Sequence, residues 1–182
     1  MDNYKLGLGD PPTTVYLYVA ASDKTEDGSQ YPWHTYDFDT DRKTVIKEPA
    51  LSGFLKEISM KKSVYKDKEG FKVRFRFSTP REYVIQSGVE TTFTSNLLTA
   101  LLKWEDFSKP MCVQATVGDQ GKVVFSSLWT LDGQLIIGEK GDQKMLPIIN
   151  ELQRRLGNPV QTIEDVRKAY DDAQDSRYGG NR

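Results

Sequence analysis

The sequence has few of the residues that build metal centres and disulfides. It holds one cysteine, Cys112, and one histidine, His34, which lie 78 positions apart. A site built from His and Cys needs several such ligands, so we expect no metal site of that kind. A lone cysteine forms no internal disulfide, and nothing in the sequence indicates an oxidising compartment. Because Cys112 falls within an apolar strand pattern, we interpret it as a small buried side chain.

Long apolar runs and glycine-rich phosphate loops are also lacking. No apolar run approaches the ~20 residues of a membrane helix, and the first residues, MDNYK, lack the basic-then-apolar order of a secretory signal. Neither G-x-x-x-x-G-K-[ST] nor G-x-G-x-x-G occurs. We therefore expect a soluble cytoplasmic binding protein rather than an enzyme, with no cofactor and no membrane partner.

One acidic cluster has the spacing of a cation site. Asp37, Asp39 and Asp41 alternate with other residues, as oxygen ligands of Ca²⁺ or Mg²⁺ can. The cluster lacks the glycine and the distal glutamate of an EF-hand loop, so we do not assign a metal to it.

Apolar periodicity divides the chain into strands, followed by helices near its end. An alternating pattern is clearest at residues 71–77, where phenylalanine and valine face one side and Lys72, Arg74 and Arg76 face the other. Strands are predicted at 13–20, 34–39, 44–46, 53–60, 71–77, 82–86, 111–117 and 122–129, and a short one within 131–137. Helices are predicted at 92–104, at 145–156 and from the Thr162–Asp165 capping pair through Tyr170. Residues 61–70 are predicted to be a long polar connection.

Positive charge is concentrated in one stretch of the chain. Residues 53–81 hold nine lysines and arginines against three acids, although the whole chain has a net charge of -1. A local field of this kind attracts a polyanion whatever the net charge is. The alternative is a hairpin whose lysines only keep it soluble.

The order strand–strand–strand–helix–strand–strand over residues 53–129 resembles the oligonucleotide/oligosaccharide-binding (OB) fold. The segments GFLKEI at 53–58, SGVETTF at 87–93 and VVFSSLW at 123–129 are similar to those of single-stranded DNA-binding proteins of bacterial or phage type. The resemblance implies a five-stranded barrel that binds its ligand with strands 2–3 and with the loops joining strands 1–2 and 4–5. It also implies binding of single-stranded DNA with little sequence preference, in replication, recombination or repair, in a bacterial or phage-infected cell. The acidic tip of many such proteins is absent from the sequence YGGNR at 178–182, so we do not expect recruitment through such a tip.

The fold class expected from these patterns is mainly β, with four regions. Residues 1–50 form an N-terminal extension with short strands, of which 1–12 are a loose arm. Residues 51–138 form the OB-like barrel, 139–174 the C-terminal helices, and 175–182 a disordered tail.

Single-stranded DNA needs cations for its phosphates and flat side chains for its bases. The candidate cations are Lys61, Lys62, Lys66, Lys68, Lys72, Arg74, Arg76, Arg81 and Lys122. The candidate aromatic residues are Tyr65, Tyr83 and Trp129, of which Tyr83 and Trp129 could equally face the core. Trp33, His34 and Tyr36 are either a second stacking patch or packing of the extension.

A different class of function stays open on the same sequence. The barrel could be a protein-interaction or assembly module, with the helices of 142–174 docking a second copy or a replication or recombination protein. The nucleic-acid hypothesis predicts that Lys72, Arg74 and Arg76 converge with Tyr65 and Tyr83 on one open groove. If the tail helices cover that groove instead, either the assembly hypothesis is favoured or the tail is a gate.

Overall fold

The computed structural model describes residues 14–139, 141 and 143–178. The predicted loose arm at 1–12 and residues 179–182 of the predicted tail lie outside the described residues. Within them the fold is mainly β, as expected, with nine strands in one mixed sheet and three helices. The strands are β1 (Val15–Val19), β2 (Trp33–Asp37), β3 (Arg42–Ile46), β4 (Ala50–Tyr65), β5 (Lys68–Ser78), β6 (Glu82–Gly88), β7 (Met111–Val117), β8 (Val124–Thr130) and β9 (Leu135–Ile136). The helices are α1 (Thr92–Leu101), α2 (Met145–Arg155) and α3 (Ile163–Tyr178).

The alternating patterns place one face of the sheet on the core, as predicted. On β5, Val73, Phe75 and Phe77 are fully buried, whereas Arg74 and Arg76 between them are only half-buried. The apolar side of α1 completes the core with residues such as Leu98. The basic side chains of β5 are therefore directed away from the core, on the opposite face.

The prediction of a long polar connection at residues 61–70 is wrong. Strand β4 continues to Tyr65, β5 begins at Lys68, and the register pairs Tyr65 with Lys68. Lys66 and Asp67, with φ of 48° and 60°, form a tight two-residue turn of the kind that suits the twist of a hairpin. The polar composition of residues 61–70 predicted a connection because both strands of this hairpin extend beyond the core, where they need no apolar side chains.

The five strands and helix of the predicted barrel are β4–β8 and α1. They lie in the order β6-β5-β4-β7-β8 within the longer order β3-β2-β1-β6-β5-β4-β7-β8-β9. The second edge of β6 pairs in parallel with β1, from Val15 opposite Tyr83 to Tyr18 opposite Gln86, so β6 does not pair with β8. The sheet is therefore not closed, and a five-stranded barrel is not confirmed.

Two helix boundaries differ from the prediction. Helix α1 ends at Leu101, and Trp104 follows it as a buried side chain whose Nε1 donates to the carbonyl oxygen of Asp106 at 2.8 Å. The capping pair of Thr162 and Asp165 is confirmed by reciprocal bonds of 2.9 and 3.1 Å. Helix α3 continues to residue 178, beyond the end predicted at Tyr170. Among the described residues, no helix combines the length and apolar character needed to cross a bilayer.

Side-chain amides from the α2–α3 region cover the second edge of β4. The first four residues of β4 pair with β7, and beyond them no strand among the described residues pairs with this edge. Asn158 Oδ1 accepts from Ile58 N at 3.0 Å, and Gln161 Oε1 accepts from Met60 N at 2.7 Å. The buried Gln153 donates from Nε2 to Ile58 O at 3.1 Å. The C-terminal helices are thus docked on the chain's own sheet through an amide clamp, formed by Gln153, Asn158 and Gln161.

Candidate nucleic-acid interface

Strands β1, β2, β4, β5 and β6 share one face that points away from the core, which we call the outer face. Strand register places its side chains, because residues opposite each other on neighbouring strands point the same way. Arg74 on β5 lies opposite Gln86 on β6, which lies opposite Tyr18 on β1, which lies opposite His34 on β2. The outer face includes Tyr16, Tyr18, His34, Tyr36, Lys61, Lys72, Arg74, Arg76 and Gln86.

Basic side chains form the centre of the outer face. Arg74 donates from Nε to Gln86 Oε1 at 2.8 Å, and its guanidinium lies 5.3 Å from the ring centroid of Tyr16. Both partners are uncharged, so the positive charge of Arg74 is not neutralised by them. Lys61 and Lys72 lie directly opposite each other on β4 and β5. Both lysines point to the same face as Arg74.

Arg76 has different surroundings from Arg74. Its Nε lies 3.2 Å from a carboxylate oxygen of Glu57, and a second guanidinium nitrogen is paired with Glu82. Two carboxylates therefore offset its single charge. Arg76 lies on the predicted face, but it adds little attraction for a phosphate.

An aromatic row adjoins the basic centre on β1 and β2. The rings of Tyr16 and Tyr18 have centroids 6.4 Å apart and planes at 24°, and those of Tyr18 and His34 are 5.7 Å apart at 28°. Phe38, at the end of β2, meets Tyr36 edge-on at 4.8 Å and Tyr18 at 6.5 Å. A groove of about 760 Å³ follows this row, with Tyr16, Tyr18, Tyr36, Phe38, Lys61 and Arg74 among its lining residues.

Sequence reasoning missed Tyr16, Tyr18 and Phe38. The segment VYLYV at 15–19 alternates, so the face bearing both tyrosines was legible in the sequence. What the sequence could not show is that β1 pairs with β6 and brings these rings beside Arg74.

Lys62 is a predicted cation that α3 covers. Its ammonium lies 3.3 Å from Glu69, 3.6 Å from Asp171 and 4.9 Å from the ring centroid of Tyr170. The side chain is 15% exposed. Its charge is therefore used within the fold.

The end of the β4–β5 hairpin carries three further predicted residues. Tyr65 is 73% exposed, and the ammonium of Lys66 lies 5.3 Å from its ring centroid. Lys68, opposite Tyr65, is exposed as well. Arg81 is exposed in the turn between β5 and β6.

The remaining predicted residues do not join the outer face. Tyr83 lies opposite the buried Phe77 and packs against the core. Trp129 belongs to β8, where its Nε1 donates to Gln114 Oε1 at 3.1 Å, and Lys122 is exposed just before that strand. Trp33 is buried and donates to the carbonyl oxygen of Glu48 at 2.7 Å, so it packs rather than stacks on a ligand.

Burial shifts the protonation of two aromatic-row residues. The pKa of His34 is lowered to about 4, mainly by burial of the ring and to a smaller extent by the charge of Lys43. His34 is therefore a neutral ring at neutral pH. Burial also raises the pKa of the Tyr18 phenol, against the opposing effect of Arg74.

The acidic cluster builds the turn between β2 and β3. Asp37 Oδ1 accepts from the backbone N–H groups of Asp39 and Thr40 at 3.0 and 3.3 Å, and Asp41 accepts from the Tyr36 hydroxyl. Hydrogen bonds from Thr40 and from Asp39 lower the pKa of Asp37. Within residues 14–139, 141 and 143–178, no group of His, Cys, Asp and Glu side chains could hold a metal ion.

Comparisons with protein-family models, with curated proteins and with solved structures find no match to this chain.

Proposed function

We propose that this chain binds single-stranded DNA through the outer face, with little sequence preference. It acts as a binding protein rather than an enzyme, in replication, recombination or repair, in the cytoplasm of a bacterial or phage-infected cell. Its partners are the single strand and, beyond it, a second copy or other replication or recombination proteins.

One observation carries this proposal. The guanidinium of Arg74 contacts the ring of Tyr16 and the uncharged Gln86, it lines one groove together with Lys61, and Lys72 lies opposite Lys61 on the same face. Cations for phosphates next to flat rings for bases are the combination that binds single strands. Duplex DNA does not satisfy both, because its base faces are covered by stacking on their neighbours.

The arrangement of strands supports an OB-like core. The order β6-β5-β4-β7-β8, with α1 between β6 and β7, suits a partly open barrel whose second and third strands, β5 and β6, bear the ligand. In this proposal β1 pairs with the edge of β6 that β8 would occupy in a closed barrel, and it thereby extends the binding face.

The position of the C-terminal helices favours DNA binding over the assembly hypothesis. The amide clamp and the contacts of α3 with Lys62 direct the inner side of this segment onto the chain's own β4. That surface is therefore occupied, while none of the C-terminal helix residues that the structure describes lines the groove along Tyr16, Tyr18 and Arg74.

Fluorescence anisotropy with a labelled oligo-dT of about 30 nucleotides, at several salt concentrations, tests the proposal. We expect tight binding at low salt that weakens steeply as salt rises, with log K changing by about -0.7 per phosphate contact for each unit of log salt. The double variant Lys72→Gln/Arg74→Gln should bind more weakly and with a shallower slope.

The matched control is Lys109→Gln/Arg154→Gln, which removes the same charge from exposed positions outside the outer face. It should keep both the affinity and the slope of the unsubstituted chain. Absence of oligo-dT binding at low salt would refute the proposed function, and equal losses in both double variants would refute the location of the site.

A further inference from the structure

We propose that the N-terminal strands form a base-stacking platform, consisting of Tyr16, Tyr18, His34, Tyr36 and Phe38, that takes the unpaired bases while β4 and β5 hold the phosphates. This inference rests on the proposed function and deepens it by dividing the site into two parts with different chemistry. The platform lies outside the segment 53–129 that resembles the OB fold.

The platform rings are not needed to fill the core. Val15, Leu17 and Val19 alternate with the two tyrosines of β1 and supply its packing face. On β2 the fully buried Trp33 does the same. Core packing therefore does not require the side chains on the outer side of these two strands. That side carries aromatic rings, whereas a solvated face typically carries polar side chains.

Phe38 is the most exposed large apolar side chain among the described residues, at 76%. It is nevertheless held in place, because Asp37 caps the turn and Asp41 closes it with a φ of 53° and a bond from Tyr36. Holding an apolar ring in water is unfavourable in proportion to its exposed apolar surface. A base that covered this ring would remove that cost.

The geometry of the rings suits flat ligands. Tyr16, Tyr18 and His34 are inclined to their neighbours by only 24° and 28°, so their rings are nearly parallel and a flat base can continue the stack. Phe38 stands at 75° to Tyr18 and offers a second orientation of ring. Because His34 is neutral at neutral pH, these rings bind by stacking and not by attracting phosphate.

The platform and the cations open into one groove. Lys61 and Arg74 line it together with Tyr18 and Phe38. A strand whose bases lie on the platform therefore has its backbone within reach of the basic centre. Contact with bases adds affinity without changing salt dependence, since only phosphate contacts release counterions.

The test compares oligo-dT with an abasic deoxyribose-phosphate strand of equal length, using the full chain and the variants Phe38→Leu and Tyr18→Leu. The unsubstituted chain should bind the abasic strand more weakly than oligo-dT. Each variant should lose about 5- to 150-fold in affinity for oligo-dT, the range for one stacked base, with an unchanged salt slope. Neither variant should alter binding of the abasic strand.

The matched control is Phe125→Leu, which changes a 42% exposed ring on β8, outside the platform. Should Tyr18→Leu disturb folding, Phe38→Leu still gives the answer, because its side chain is mostly in solvent. The platform would be refuted if Phe38→Leu bound oligo-dT as tightly as the control and the unsubstituted chain bound the abasic strand as tightly as oligo-dT. The proposed function would still hold in that case, provided that oligo-dT binding depended on salt. Failure of the unsubstituted chain to bind oligo-dT would remove both.

Discussion

The two sides of the β4–β5 hairpin carry similar basic residues in opposite situations. On the outer face, Arg74 has an amide and a tyrosine ring as its partners. On the side toward α3, Lys62 is enclosed by the carboxylates of Glu69 and Asp171. The first charge is available to a ligand, and the second is used to hold a helix.

The number of basic residues in a stretch of sequence therefore differs from the number of cations that a ligand can use. Residues 53–81 have a strong positive excess, yet Lys62 and Arg76 are each paired with two carboxylates. One of these partners, Asp171, comes from a distant part of the chain. Three experiments test the contrast between the open and the covered side.

The largest effect is expected from breaking the covered side at Gln153. Replacing it with alanine leaves the carbonyl of Ile58 and the N–H of Gln161 without their buried partner. We expect a loss of about 1–3 kcal/mol in the free energy of unfolding, measured by denaturant titration. Gln120→Ala, in an exposed turn, should change it by less than ~0.5 kcal/mol. Similar values for both variants would contradict the role of the clamp.

A smaller effect should separate two cations that sequence reasoning treats alike. Arg74→Gln should weaken oligo-dT binding severalfold and reduce the steepness of log K against log salt by about 0.7, because one phosphate contact is lost. Lys62→Gln should leave the slope unchanged, since Lys62 is already neutralised by Glu69 and Asp171. Equal slopes in the two variants would show that α3 does not withhold Lys62 from the ligand.

The smallest effect concerns proton binding on the open side. His34 is the one histidine of the chain, so its ring proton can be followed by NMR, and it should titrate near pH 4 rather than 6.5. Because the folded-state pKa lies below the unfolded value, protonation favours unfolding. Stability from neutral His34 is complete above pH 6.5 and is lost as the pH falls toward 4.

His34→Gln provides the control for this titration. Relative to the variant, the unsubstituted chain should lose stability between pH 6.5 and 4, in denaturant titrations at each pH. A histidine titration near pH 6.5 would mean that the imidazole is solvated and that the outer face is less packed than described.

Local periodicity was sufficient to predict many elements. The strand at Met111–Val117 has the predicted bounds, and helix α2 lies within the predicted range of 145–156. Both have apolar residues spaced with a clear period, which is a local property of the chain. The prediction for residues 61–70 failed because the two strands of the hairpin extend past the core there, and polar side chains on both faces remove the apolar period.

The candidate site was predicted in part for the same reason. Alternation placed Lys72, Arg74 and Arg76 on one face of a strand, and the structure agrees. The tyrosines of β1 could be assigned to a face by alternation too, but not to this groove, because their strand lies far from β5 in sequence and joins it only through β6.

The sequence by itself determined which side chains share a face, since the period of two follows from strand geometry alone. It also determined the basic excess and the capping pair at the start of α3, which depend on neighbours in the chain. Only the tertiary structure decided which charges are compensated, which rings adjoin them and that β1 occupies the free edge of β6. These outcomes depend on contacts between residues up to about a hundred positions apart, as between Met60 and Gln161, and such contacts leave no periodic trace in the chain.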